Sequence, residues 1–225
     1  MTRELYPNGR VIDLTAKLDN TIQVYPGDPP FKKSWHVDCD RAGFNVSKLE
    51  MGAHVGTHVD APLHFLKDGA DVASMPLERF LGPAVAVDVP KKPGADISPE
   101  DFADADIREG DIVLFRTGWE DLANSPRFYE GEWPGITSEA VDALIELKVA
   151  AIGGDIASVD SPKALAEGAP AHNKALRAGI PLFEALVNMR EVVGKRFFFI
   201  GLPLKIEGGE GSPIRAIAIL DGGRE

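Results

Sequence analysis

Cys39 is the only cysteine in the 225 residues, so no internal disulfide can form, and the scarcity suits a reducing compartment. Positive charge is also short. Lys and Arg number 24 against 35 Asp and Glu, for a formal net charge of −11. That balance offers no long-range attraction to phosphate backbones or anionic lipid, and it argues against nucleic-acid and membrane partners. Long apolar runs are missing too. Nowhere are there the ~20 consecutive apolar residues that a bilayer crossing needs, and MTRELYPNGRVIDLT contains no signal-peptide core. A cytoplasmic protein is expected. Repeats, low-complexity tracts and linker-like stretches are absent as well, so a single domain over 1–225 with one buried core is the simplest organisation.

Short β-branched or aromatic runs recur between Gly, Pro and Asp, namely RVIDLT, AVAVDV, DIVLFRTG, VAAIGGD, RFFFIGLPL and IRAIAIL, and they read as strands. Helical patterns lie between them. SPEDFADA opens with Ser98 as N-cap, Pro99 at the first helical position and Asp101 placed for a capping box. TSEAVDALIEL spaces Val141, Leu144, Ile145 and Leu147 for one buried side. AHNKALRAG and PLFEALVNM read as two short helices separated by Gly179 and Pro181. Strands in succession early and alternating with helices later indicate a mixed α/β domain.

Three of the five histidines and an aspartate crowd into MGAHVGTHVDAPLHF, Met51 to Phe65. A helix would put His54 and His58 on one face but carry Asp60 far round it, and the glycines and valines oppose a helix. Extended chain places His54, Gly56, His58 and Asp60 on one side and the valines on the other. A flat strand at ~3.3 Å per residue would still part the His54 and Asp60 backbones by roughly 20 Å, too far for ligands at ~2 Å from one ion. The chain must therefore bend, and Gly56 is the pivot that tolerates it. Pro62 ends strand pairing, and His64 follows on a separate loop. For any one histidine, ordinary packing is the commoner explanation. Four ligand-type residues with apolar or glycine residues between them reverse that balance. Imidazoles with a carboxylate suit zinc or manganese rather than magnesium or calcium.

The segment HVGTHVDAPLHF resembles the HxGTHxDAPxH signature of the metal-dependent cyclase-like hydrolases, which include bacterial kynurenine formamidases and isatin hydrolases. VYPGDPPF, LFRTGW, GGDIASVDSP and LPLKIEGGEGSPIRAIA look like further landmarks, so most of the chain is covered. The resemblance implies a swivelling β/β/α fold with a mixed central sheet, assembled as a homodimer or homotetramer. It implies His54, His58 and Asp60 as metal ligands and His64 as proton shuttle. His172 and Glu184 then complete a second position bridged by the aspartate, so that one or two Zn or Mn ions are held.

Without the resemblance, His172 reads as a helix-start residue and Glu184 as a solvated helix glutamate. On one continuous helix the two would stand about 18 Å apart, so only the break at Gly179 and Pro181 lets them converge. The implied reaction is hydrolysis of an amide or lactam of a small, aromatic substrate by metal-activated water. The rival readings are a metal-dependent cyclase or dehydratase and an inactive metal-dependent binding protein. Tyr25, Trp35 and Phe44 are candidates for the substrate wall, and Tyr25 stands where formamidases tend to carry tryptophan. Arg215 is a candidate anchor for a substrate carboxylate, with a structural ion pair as its alternative.

Overall fold

The computed structural model describes residues 9–221, so residues 1–8 and 222–225 of the expected domain lie outside the described part. The strands in chain order are β1 (Arg10–Asp13), β2 (Lys32–Val37), β3 (Val46–Glu50), β4 (His58–Asp60), β5 (Leu81–Asp88) and β6 (Ile112–Arg116). They continue with β7 (Ala151–Gly154), β8 (Leu182–Glu184), β9 (Arg196–Ile200), β10 (Gly211–Pro213) and β11 (Ile217–Leu220). The α-helices are α1 (Cys39–Ala42), α2 (Ser138–Glu146), α3 (Pro162–Ala166) and α4 (Pro170–Arg177).

Nine strands pair into one mixed sheet in the order β1-β11-β9-β5-β6-β7-β8-β4-β10, while β2 and β3 form a separate two-stranded sheet. β5, β6, β7 and β8 run parallel, with helices in the crossovers after β6 and β7. The six runs read as strands all contribute to this sheet, which is the α/β architecture with a mixed sheet that the sequence suggests.

Both faces of the central strands are covered, which is why these strands are apolar throughout. Along β6, Ile112 and Leu114 join one core with Phe183 and Phe199, and Val113 and Phe115 join another with Val141, Leu144 and Leu176 of α2 and α4. Successive side chains on a strand point to opposite faces, so a single run feeds two cores.

Helix α2 follows its pattern: Thr137 accepts from the Ala140 N–H, and Ala140, Val141 and Leu144 are buried. Leu147 departs from it and is exposed, because the helix ends at Glu146 and Leu147 lies past its last turn. The capping box at Ser98 and Asp101 forms, but it opens only a single 3-10 turn, Pro99–Phe102. PLFEALVNM is a correction. Leu182–Glu184 is a strand, paired with β7 on one edge and β4 on the other, and all three of its residues are buried. Pairing on both edges overrides the helical tendency of the run.

Candidate metal centre

The chain bends at Gly56, whose φ of +62° lies in the left-handed region that favours glycine. A side chain there would also meet Ile22 Cδ1 and Leu18 Cδ2 at 2.9 Å. The bend turns His54 back onto the strand that follows, so that its Nδ1 lies 2.7 Å from Asp60 Oδ1. His58 and Asp60 are the first and third residues of β4 and share one face, while Val59 between them is fully buried in the core behind.

Register brings Glu184 to the same face. β4 and β8 are antiparallel with His58 directly opposite Glu184, and directly opposed residues project on the same side of a sheet. Glu184 is therefore no solvated helix residue but a strand residue only 4% exposed. His172 comes from α4, with Nε2 3.3 Å from Glu184 Oε1 and 3.6 Å from Asp60 Oδ2. On β10, Gly211 leaves room for the His54 ring, since a Cβ there would fall 2.8 Å from its Cε1.

Two imidazoles are held in a fixed orientation. His58 Nδ1–H donates to the Gly56 carbonyl at 2.8 Å, and His172 Nδ1–H donates to Asp160 Oδ2 at 2.6 Å, so each ring turns Nε2 toward the carboxylates. Asp160 also accepts the backbone N–H groups of Ala171 and His172, which supplies the side-chain cap that Ala169 cannot give α4. Glu184 is fixed by the Val159 N–H at 2.6 Å.

The donor set fits a divalent cation. His58 Nε2 is 3.4 Å from Asp60 Oδ1 and 3.5 Å from Glu184 Oε2, and the His172 distances are 3.3 and 3.6 Å. These exceed good hydrogen bonds, yet ligands ~2.1 Å from one tetrahedral ion stand ~3.4 Å apart. Two groups of three donors, His54–Asp60–His64 and His58–Asp60–Glu184, share Asp60. His54 Nε2 is a buried nitrogen with no hydrogen-bond partner among the described residues.

The electrostatics agree. Burial alone would push the His54 imidazole down, but Asp60, Glu184 and Glu210 outweigh it and raise it to about 9. His172 is likewise raised against burial, through Asp160, Asp60 and Glu184. Asp60 is held well below the carboxylate range despite its burial, by the imidazoles around it. The cluster thus attracts positive charge. His64 differs: the residue is exposed at the rim, but its ring packs against those of His54 and Phe65, with centroids 4.2 and 4.7 Å away, and the resulting desolvation lowers its pKa.

The centre opens into a cavity of about 290 Å³ walled by Tyr25, Phe65, Tyr129, Ala157 and Leu165. A larger polar depression of about 650 Å³, lined by Thr15, Asp19, Glu120 and Arg190 among others, has no histidine in its lining. Tyr25 reaches the cavity wall, edge-on to Tyr129 and Trp133. Trp35 and Phe44 do not. They are 55% and 58% exposed on the β2–β3 unit, because that hairpin stands off the main sheet. Arg215 pairs with Asp13 and is absent from the cavity lining, the structural alternative for that residue.

Asp160, Tyr129 and Phe65 are among the site residues that sequence reasoning left unassigned. Asp160 stands inside the GGDIASVDSP landmark, which was a usable signal. The same landmark supplies Asp155, which accepts from Thr117 N–H, Thr117 Oγ1 and Gly118 N–H and so locks the LFRTGW turn beneath the cavity wall.

A family model described as Putative cyclase matches residues 12–161. The chain is 34% identical to a kynurenine formamidase of Salinibacter ruber (strain DSM 13855 / M31), over 92% of this chain and 96% of that one. Its fold superposes on an isatin hydrolase bound to the product analogue thioisatinate with a TM-score of 0.89 at 26% identity, covering 98% and 95% of the two chains. A potential metal-dependent hydrolase with cyclase activity gives 0.79 at 28% identity, covering 96% of this chain and all of the other (100%).

Proposed function

Since the chain belongs to this cyclase family, we propose that it is a metal-dependent hydrolase that cleaves the amide or lactam C–N bond of a small aromatic substrate. The observation that carries the reading is the donor set of His54, His58, Asp60, His172 and Glu184 at one end of an aromatic-walled cavity. These five residues would hold one or two divalent ions, zinc or manganese by the mix of imidazole and carboxylate. A cation bound there supplies the charge that acidifies water and polarises a carbonyl.

The chain's own residues do the rest. Tyr25, Phe65 and Tyr129 seat the aryl ring and exclude water around it. Asp160 and the Gly56 carbonyl keep His172 and His58 aimed. His64, at the rim and open to solvent, takes the proton of the attacking water and returns it to the leaving nitrogen as the C–N bond breaks. Assays with formanilide and isatin in ¹⁸O water, alongside metal analysis, test the reading. Hydrolysis places solvent oxygen in the acid product and scales with bound zinc or manganese. Dehydration or cyclisation without that label, or turnover by metal-free protein, defeats it.

The enzyme acts in the cytoplasm as a homodimer or homotetramer. Among the described residues no helix is long and apolar enough to cross a membrane, and Cys39 is a free thiol. Support for assembly comes from β2 and β3, which are exposed along nearly their whole length. Trp35 and Leu49 fall on one face by register, opposite Ser47 and Lys33. A lone hairpin is marginal in water, and a second copy covers it. Light scattering should give at least a dimer mass for the wild type and a monomer for the Trp35→Asp, Leu49→Asp double variant. A monomeric wild type removes the assembly.

A further inference from the structure

The segment HVGTHVDAPLHF contains one polar residue that neither the donor set nor the reaction uses. Thr57 stands between the bend at Gly56 and the donor His58, and it is only 1% exposed. Its hydroxyl both accepts and donates. Oγ1 accepts the Ala16 N–H at 2.8 Å, and its proton goes to the Ala185 carbonyl at 2.6 Å. The Thr57 carbonyl in turn accepts the Ile214 N–H at 3.1 Å. One side chain thus joins the N-terminal segment, the bend and the residue that follows Glu184.

Each joined segment bears on the cation's donors. The N-terminal segment lies across the bend, where Leu18 Cδ2 and Ile22 Cδ1 fill the space a Cβ on Gly56 would need. His58 and Glu184 are opposed in the β4–β8 register, and Thr57 and Ala185 are the next residues along at that end. The Thr57 hydroxyl therefore extends the pairing by one bond just beyond the two donors. Ala185 holds φ +53°, a left-handed conformation that an alanine keeps only where its surroundings impose it. Two bonds impose it here. The Ala185 N–H donates to the Ile156 carbonyl at 2.9 Å, and the Ala185 carbonyl takes the Thr57 hydroxyl.

We propose that Thr57 is a positioning residue for the metal centre, its hydroxyl holding His58 and Glu184 at the spacing that one cation requires. That role rests on the metal-centre reading and on no particular substrate. Without the hydroxyl, the Ala16 N–H and the Ala185 carbonyl lose their partner in a site closed to water, and the strained turn at Ala185 is the part that relaxes. Glu184 moves with it. The test is zinc binding by the wild type, Thr57→Val and Thr57→Ser, each competed against a chromogenic chelator. Thr57→Val keeps the volume and loses both bonds, so its zinc affinity should fall about ten- to hundredfold, the range for removing the support behind a metal ligand. Thr57→Ser keeps the hydroxyl and should stay close to the wild type. Titrations run well below the melting temperature of each metal-free protein, where a role in stability alone leaves the affinities equal.

Cobalt(II)-loaded protein gives a second readout, since its visible bands report the arrangement of ligands: Thr57→Val should shift them and Thr57→Ser should not. Glu184→Gln checks the route, because a residue acting through Glu184 costs little further affinity once that donor is gone. Equal zinc affinity and equal cobalt bands in the wild type and Thr57→Val overturn the proposal and leave the metal centre standing. A loss in Thr57→Ser as large as in Thr57→Val, or full additivity with Glu184→Gln, overturns it too. Should the valine variant not fold, Thr57→Ala removes the same hydroxyl with less bulk and is read the same way. A wild type that binds neither zinc nor manganese strikes down the metal-centre reading and this role with it.

Discussion

Asp60→Ala should leave the protein without its cation and cost at least ~10³-fold in hydrolysis. Asp60 is the residue common to both three-donor groups, it is 1% exposed, and the imidazoles of His54, His58 and His172 all approach it. Its removal takes the shared anionic donor from both positions at once. Lewis-acid stabilisation is worth several kcal/mol, and each 1.36 kcal/mol is about tenfold in rate, which sets the floor of ~10³. Asp60→Asn separates shape from charge: it keeps the volume, loses the negative donor, and should follow alanine in metal content. Elemental analysis after dialysis and a thermal melt accompany the assay. The melt matters because Asp60 is buried among three imidazoles, so its removal can disturb packing as well as metal binding. A variant that keeps stoichiometric metal and near-normal turnover would remove Asp60 from the centre.

His64→Ala should behave differently, losing ~10²–10⁴-fold in kcat while keeping its metal. The argument is positional. His58, His172, Asp60 and Glu184 are each 4% exposed or less, whereas His64 sits exposed on the 3-10 turn Pro62–His64, where a proton can be passed to solvent. Its nitrogen nevertheless lies near enough to His54 and Asp60 to serve as a third donor. Metal content decides between the roles. Retained metal with partial rescue of turnover by added imidazole identifies a proton carrier, while metal loss equal to that of Asp60→Ala identifies a ligand.

The contrast between these two variants reflects how the motif is laid out in space. The parity of His58 and Asp60 and the need for a bend at Gly56 were legible because they follow from strand periodicity and the reach of a side chain; His54 lies in the turn before β4 and owes its place to the bend, not to strand parity. Pro62 as the end of pairing was legible for the same local reason. Glu184 was reached only through the family resemblance and in the wrong setting, since PLFEALVNM carries helical composition and only pairing with β4 and β7 makes it a strand. Asp160 escaped too: its effect on His172 depends on a loop meeting the start of α4, a contact that no spacing encodes. Trp35 and Phe44 looked like cavity residues by nearness in sequence, but the hairpin carries them outward.

By itself the sequence determined the strand runs, the capping box at Ser98, and a segment that must bend at Gly56 to bring two imidazoles and a carboxylate together. Each of these is fixed by neighbours within a few residues, through backbone dihedrals and side-chain alternation. Tertiary structure alone decided that Glu184 stands opposite His58, that α4 delivers His172 with Asp160 behind it, and that the Thr57 hydroxyl meets Ala16 and Ala185. Those placements depend on register and on packing between segments far apart in the chain, and the burial of two cores selects them rather than any local preference.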